Sequence, residues 1–231
     1  GSPTQKPRLA LQVSPDVIRL SPVQVMRNPP LLVIMVVGFI SQFYFLVTIV
    51  ANAISIGTLV LISRAVGSGD NDKAIDVARQ SMIFSVLVAV GITAVCLLFY
   101  REIISFAGFP GDTREIAEKF LRIFALSLGP NYILIISNAI FRASGEVKKP
   151  LFTMFLVSLI NIAGDFVLVF GLPPFPKMGY VGIALSTAAS LTTGMVINLF
   201  LFTVGWWRSL YSERWHISVD TIARIFRLGW P

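Results

Sequence analysis

The stretch PLFTMFLVSLINIAGDFVLVFG, Pro150 to Gly171, decides the fold of this chain. It is long and apolar enough for one membrane-crossing helix, because a hydrocarbon core of about 30 Å needs about 20 helical residues. One acid interrupts it: Asp165, which shares a helical face with Asn161 and Ser158 at the 3.6-residue period. An unpaired carboxylate in lipid costs about 2.5–3.5 kcal/mol on insertion scales. The polar face must therefore be satisfied by protein, water or an ion, unless Asp165 simply lies at the membrane interface.

The rest of the chain has the composition of a membrane protein. Hydrophobic residues make up 55% of its 231 residues and charged residues 13%, which is about half the charged share of a soluble domain. Five apolar stretches are long enough to cross a bilayer, so we predict an all-α integral membrane protein with five transmembrane helices. These stretches are Leu31 to Val66, Ser81 to Tyr100, Phe120 to Phe141, Pro150 to Gly171 and Gly179 to Trp207.

Three regions follow from this pattern. Residues 1–30 are rich in proline and are predicted to be an irregular leader, because proline at this density forbids a long helix. Residues 31–207 are predicted to form one membrane-embedded helical lobe. Residues 208–231 are predicted to be a cytoplasmic amphipathic linker.

The basic residues predict the orientation. Loops on one side of the five spans carry ten Lys and Arg residues, and loops on the other side carry five. The first group comprises Arg64–Arg79, Arg142–Lys149 and Arg208–Arg227, and the second Arg101–Arg122 and Lys177. Because cytoplasmic loops are enriched in Lys and Arg, we expect a multi-pass protein of the inner cell membrane with its C-terminus in the cytoplasm. The net charge of +7 then suits anionic lipid head groups rather than nucleic acid.

Several kinds of chemistry are excluded by the residue inventory. With one His and one Cys, the chain can assemble neither a zinc site nor a nucleophilic triad. It also has no Walker-type phosphate loop, which argues against an ATP-driven pump. We therefore expect no enzyme activity and no cofactor.

Three segments carry a resemblance to a known family. They are GTLVLISRAVGSGD (Gly57 to Asp70), RASGEVKKP (Arg142 to Pro150), and NIAGDFVLVFG with FPKMGYVGIALSTAAS (Asn161 to Ser190). Together with the closing RLGWP, they resemble the multidrug and toxic compound extrusion (MATE) transporters. The five spans are similar to helices 2–6 of a twelve-helix, two-lobed MATE exporter. Glu146 stands where the family's loop motif usually has Asp.

The resemblance implies a function and a site. Members of this family are antiporters that export organic cations in exchange for H⁺ or Na⁺. At the matching positions, Asp165, Asn161 and Thr187 are expected to form the cation or proton site, with Na⁺ at Asp165 as the only metal. The resemblance also implies a second lobe of the same transporter as a partner, beside small organic cations and membrane lipid.

Other polar residues in the spans are candidates for a substrate cavity, because an apolar pocket with a few polar groups suits amphipathic organic cations. Helix packing is the other interpretation of each residue. The candidates are Gln42, Tyr44, Asn52, Asn138 and Ser158. Two alternative functions also remain: a lipid-linked oligosaccharide flippase of the same superfamily, and a truncated, non-functional fragment.

Overall fold

A computed structural model describes residues 29–109, 111–212 and 217–230 of the chain. Within these ranges the structure is helical and contains no strand. The predicted leader lies outside the described residues, except for Pro29 and Pro30, which begin the first helix. The helices are α1 (Pro29–Gly67), α2 (Asn71–Leu98), α3 (Tyr100–Phe106), α4 (Gly111–Ala143), α5 (Lys148–Phe170), α6 (Tyr180–Leu201), α7 (Ser209–Ser212) and α8 (Val219–Gly229), with a 3₁₀ turn at Trp206–Arg208.

Five of these helices are long and apolar enough to cross a membrane, which confirms the predicted number of spans. They are α1, α2, α4, α5 and α6. Two of them begin well before the apolar stretch that revealed them, α2 at Asn71 and α4 at Gly111. The Asp70 carboxylate caps α2 by accepting a hydrogen bond from the Lys73 backbone N–H at 3.0 Å. Because helical hydrogen bonding needs no apolar side chain, hydropathy marks the part of a helix in the membrane and not its ends.

The last span is shorter than predicted: α6 ends at Leu201, and the boundary at Trp207 is wrong. The chain turns instead, and Gly205 adopts a φ of +82°, a conformation that favours glycine. Packing explains the turn. Phe202 stacks on Phe141 with ring centroids 4.5 Å apart, and the fully buried Trp207 meets Phe202 edge-on at 6.0 Å. These rings fold back onto the bundle, and their burial competes with continuation of the helix.

Helix α4 lies at the centre of the bundle, packed against α1, α2 and α6. Of the most apolar 18-residue stretch of α4, 67% is buried, whereas only 11% of the corresponding stretch of α5 is buried. Of the α5 residues, only Pro150, Thr153 and Val157 are buried. Helices α5 and α6 therefore form a hairpin at the edge of the bundle, attached to α4 mainly through α6.

The helices alternate in direction, so the connections gather at two ends of the bundle. The basic end holds the turn at 68–70, the loop at 144–147 and the described residues 202–212 and 217–218; the Pro-rich end holds the turn at 171–179. At the basic end, the Trp207 Nε1–H donates a hydrogen bond to Glu146 at 3.1 Å, and Lys149 forms a salt bridge with Glu146 at 2.9 Å. The Arg79 guanidinium donates to the Ser209 carbonyl at 3.3 Å. These contacts fasten the chain after α6 to the loop before α5 and to α2.

The predicted amphipathic linker contains a helix, α8, which docks against α1. Two glycines make this contact possible. A Cβ at Gly57 would lie 2.0 Å from the carbonyl oxygen of Ile225, and a Cβ at Gly229 would lie 1.8 Å from that of Ala53. The two backbones thus touch directly, and the Ile225 side chain is fully buried.

Candidate cation site

The hairpin of α5 and α6 brings the predicted site residues together. Asp165 and Asn161 lie on the face of α5 that meets α6, and Thr187 lies on α6. The helices approach closely because of Gly164, where a Cβ would lie 2.8 Å from the Ser186 Cβ. Small residues of this kind let membrane helices come near enough for short side chains to reach across.

Four side chains form one hydrogen-bonded network. The Ser186 hydroxyl donates to Asp165 Oδ1. The Asn161 side-chain amide donates to Thr187 Oγ1 at 3.2 Å and to Ser186 Oγ at 3.5 Å. Asp165 and Thr187 are therefore linked through Asn161 and Ser186. Both hydroxyls also lie near the Ile183 carbonyl, at 3.1 Å for Ser186 and 2.9 Å for Thr187, so each has an alternative acceptor on its own helix.

The oxygen donors of this network are of the kind that binds a hard cation. It offers a carboxylate, two hydroxyl oxygens and, after rotation of the Asn161 side chain, an amide oxygen; such oxygen donors suit Na⁺ or a proton. Asp165 is half-buried and lines an open pocket of about 200 Å³ with Phe166, Phe170 and Ile183. Among the described residues Asp165 forms no salt bridge. The acid is thus accessible, and in the described part of the chain no cationic side chain neutralises it.

Comparison with known proteins identifies the family of this chain. The sequence model of the MatE family matches residues 33–167, more than half of the chain and including Asn161 and Asp165. The chain belongs to the MatE family. Together with the five apolar helices, this makes it a multi-pass membrane protein of a family of transporters. Asp165 therefore lies in one of the five candidate membrane helices of a transporter-family protein.

Relatives of this MatE chain include the uncharacterized transporter YisQ of Bacillus subtilis, 24% identical over 196 residues, which are 84% of this chain and 43% of YisQ. The probable multidrug resistance protein NorM of Thermotoga maritima is 28% identical over 165 residues, 71% of this chain and 36% of NorM. A crystal structure of MATE in the bent conformation shares the fold, with a TM-score of 0.77 at 22% identity over 89% of this chain and 45% of the other. The chain thus spans about two-fifths of the length of these relatives.

Three of the five residues predicted for the substrate cavity of this MatE chain lie on its surface. Gln42 and Asn52 are exposed on α1, and Ser158 is exposed on α5. Asn52 lines an open pocket of about 320 Å³ with Trp230 and neighbouring residues of α1. Although Ser158 shares a helical face with Asn161, it lies outside the network at Asp165.

The other two predicted cavity residues are engaged in helix packing. Tyr44 meets Phe124 edge-on with ring centroids 5.0 Å apart, and its buried hydroxyl has no hydrogen-bond partner among the described residues. Asn138 is buried in α4, where its side-chain oxygen accepts a hydrogen bond from Asn198 at 2.8 Å. The five candidates do not line one common cavity in this lobe.

Sequence reasoning missed Ser186, which contacts the acid directly. A signal was present in the hairpin itself. Asp165 comes six residues before Gly171, and Ser186 comes seven residues after Gly179. Two antiparallel helices joined by this turn place these positions at similar depth, so folding the sequence about the turn would have paired them.

Proposed function

We propose that this chain is part of a secondary active transporter of the inner cell membrane that exports organic cations in exchange for H⁺ or Na⁺ bound at Asp165. The observation that carries the proposal is the half-buried Asp165 carboxylate, held by Ser186 and without a salt bridge among the described residues. An acid in lipid without a cationic partner is stable only when a proton, an ion or water satisfies it. Membership of the MatE family supports transport as the use of this ion.

The position of Asp165 supports loading from outside the cell. Asp165 lies six residues before Gly171, about 9 Å from the Pro-rich end of α5 at 1.5 Å per residue. The excess of Lys and Arg at the basic end supports a cytoplasmic position for that end. The Asp165 pocket then opens in the outer part of the membrane, the side from which the ion gradient drives entry.

Ion binding would change the contact between α5 and α6. In the structure the Ser186 hydroxyl donates to the carboxylate. A proton makes one carboxyl oxygen a donor and leaves the other a weaker acceptor, and a bound Na⁺ occupies lone pairs of the carboxylate; both weaken this hydrogen bond. The ion-bound site therefore favours a different packing of the hairpin, and conformational populations shift as far as the two affinities differ.

The exposed face of α1 supports organic cations as the substrate and a second lobe as the partner. The exposed face of α1 combines Phe45 with Gln42 and Asn52, and aromatic faces attract organic cations. A relative such as NorM of Thermotoga maritima is named a probable multidrug resistance protein. We assign the remaining length of such relatives to a second lobe, which would close the substrate pathway against this face, with membrane lipid around both lobes.

The test is Asp165→Asn in the full-length transporter that carries this sequence, reconstituted in lipid vesicles. We measure efflux of a fluorescent organic cation while varying pH and Na⁺ separately. The substitution removes the charge that binds the ion, and charge-assisted contacts are worth about 1.5–3 kcal/mol, so we expect ion-dependent efflux to fall at least about tenfold.

Asp72→Asn is the matched control, because Asp72 is an exposed acid in the first turn of α2, at the basic end. It should leave efflux and its ion dependence intact. Unchanged ion dependence in Asp165→Asn would refute the proposal. Movement of a lipid-linked oligosaccharide without efflux of organic cations would favour the flippase, and the absence of both would favour a non-functional fragment.

A further inference from the structure

A second polar contact joins α5 and α6, far from Asp165. Asn198 of α6 is fully buried, and its side-chain amide donates hydrogen bonds to Ser137 Oγ at 2.7 Å and Asn138 Oδ1 at 2.8 Å. Its side-chain oxygen accepts a hydrogen bond from Thr153 Oγ1 of α5 at 2.7 Å. One side chain thus uses both of its N–H groups and its oxygen to join α4, α5 and α6. We call these four residues the Asn198 node.

The node and the cation site lie at different depths of the hairpin. Asn198 follows Ser186 by twelve residues, and Thr153 precedes Asp165 by twelve. At 1.5 Å per residue, the two contacts are about 18 Å apart along both helices. The hairpin is therefore held by one polar contact near the basic end and by another near the Pro-rich end.

Only the node ties the hairpin to α4 by hydrogen bonds between helices, among the residues that the structure describes. Towards the Pro-rich end the α4–α6 contact is apolar, with Ala184 packed in a cluster that contains Phe120 and Phe124. An open crevice of about 550 Å³ also separates α4 from α6 there, between Ser127 and Thr192 among other residues.

These two kinds of contact respond differently to movement. Hydrogen bonds are directional, and a buried polar group that loses its partner in a low-dielectric interior is costly. Apolar contacts are not directional, so Ala184 can slide against its neighbours at little cost. A moving hairpin therefore keeps the Asn198 node and changes its contacts near Ala184.

We propose that Asn198 is the pivot of the α5–α6 hairpin, holding its basic end to α4 while a change of ion at Asp165 swings the Pro-rich end and alters the α4–α6 crevice. The trigger rests on the function proposed above, whereas the pivot rests on the node itself. A rotation of about 10° about the node would move the Asp165–Ser186 contact by about 3 Å over the 18 Å lever arm. Asn198 is in this sense a positioning residue and does not bind the ion.

The test uses spin-label distances in the full-length transporter in lipid vesicles, with Cys96 replaced by alanine. One label pair, at the exposed positions Arg122 of α4 and Ile162 of α5, reports on the site end. The other, at the exposed positions Arg142 and Phe155, reports on the node end. Both distances are measured at acidic and alkaline pH, with and without Na⁺. We expect the site-end distance to change with the ion and the node-end distance to stay constant.

Two variants then remove the pivot. Asn198→Leu removes all three hydrogen bonds but leaves polar partners unsatisfied. The triple variant Ser137→Ala, Thr153→Val and Asn198→Leu replaces three of the four polar side chains by apolar ones, which is often tolerated for stability. In folded protein of either variant, the node-end distance should broaden and become ion-dependent, and ion-coupled efflux should fall about tenfold.

The outcomes separate the two ideas. If the node-end distance stays narrow and ion-independent in both variants while the site end still responds, Asn198 only stabilises the fold and the pivot is refuted. If the site-end distance of the parent responds to neither pH nor Na⁺, the ion-driven movement at Asp165 is refuted, and the pivot with it.

Discussion

Replacing Gly57 by alanine should push α8 away from α1. A Cβ at Gly57 would lie 2.0 Å from the Ile225 carbonyl oxygen, whereas ordinary van der Waals contact begins at 3.4 Å. The obstacle is backbone, so no change of rotamer can relieve it. Helix α8 would have to move by about 1.4 Å, and forcing extra atoms into such a contact costs about 1–3 kcal/mol.

The intrinsic helix preference of alanine works in the opposite direction. Alanine is favoured over glycine inside a helix by about 0.5–1 kcal/mol, so the net loss of stability for Gly57→Ala should be about 1–2 kcal/mol. Gly38 is the matched control, because it lies in the same helix and a Cβ there would meet nothing within 4 Å. Gly38→Ala should be neutral or slightly stabilising.

The assay follows the burial of Ile225, which is fully buried between α8 and α1. In the detergent-solubilised full-length transporter lacking Cys96, Ile225→Cys is treated with a maleimide. Labelling should be fast with Gly57→Ala and slow with Gly38→Ala. Equal protection in the two variants would refute the direct backbone contact between α8 and α1.

Two further substitutions test single contacts. Ser186→Ala removes the hydroxyl that donates to Asp165, so the H⁺ or Na⁺ concentration for half-maximal efflux should shift about tenfold. Ser190→Ala should cause no shift, because among the described residues its hydroxyl bonds only to its own helix. Equal shifts in the two variants would exclude a special role for Ser186. Glu146→Gln weakens the contact with Lys149 and should lower the free energy of unfolding, measured by thermal unfolding, by about 1 kcal/mol. The control Glu115→Gln, at an exposed position, should give no measurable change. An equal loss of stability in the control would contradict the role assigned to Glu146.

The spans could be predicted because hydropathy and turn chemistry are local properties. The turn before Asp70 and the Pro-rich turn after Gly171 are visible as runs of Gly, Asp and Pro. The end of α6 could not be predicted, because it depends on the burial of Phe202 and Trp207 against a ring from another helix. Residues 1–28 of the predicted leader lie outside the described residues, so for them the prediction stays a prediction.

The candidate site also has a part that the sequence predicts and a part that it does not. Asp165 and Asn161 share a helical face by their spacing alone, and the resemblance supplied Thr187 across the turn. The hydrogen bonds of Asn198 with Ser137 and Thr153 could not be predicted, since they depend on how three helices rotate and tilt against each other. For the same reason the predicted cavity residues, each plausible on its own helix, do not meet.

Helices α5 and α6 share two polar contacts, and these differ in what can change them. The Asn198 node contains amides and hydroxyls, which carry no charge over the physiological pH range, so neither pH nor an ion gradient alters its charge. The other contact contains Asp165, whose charge a proton removes and a bound Na⁺ offsets. Under the proposed function, a gradient would therefore act on one end of the hairpin only. Because α5 buries few residues against the rest of the bundle, that end can move without opening the core around α4. A fixed neutral contact at one end and an ionisable contact at the other are what a lever driven by ion binding requires.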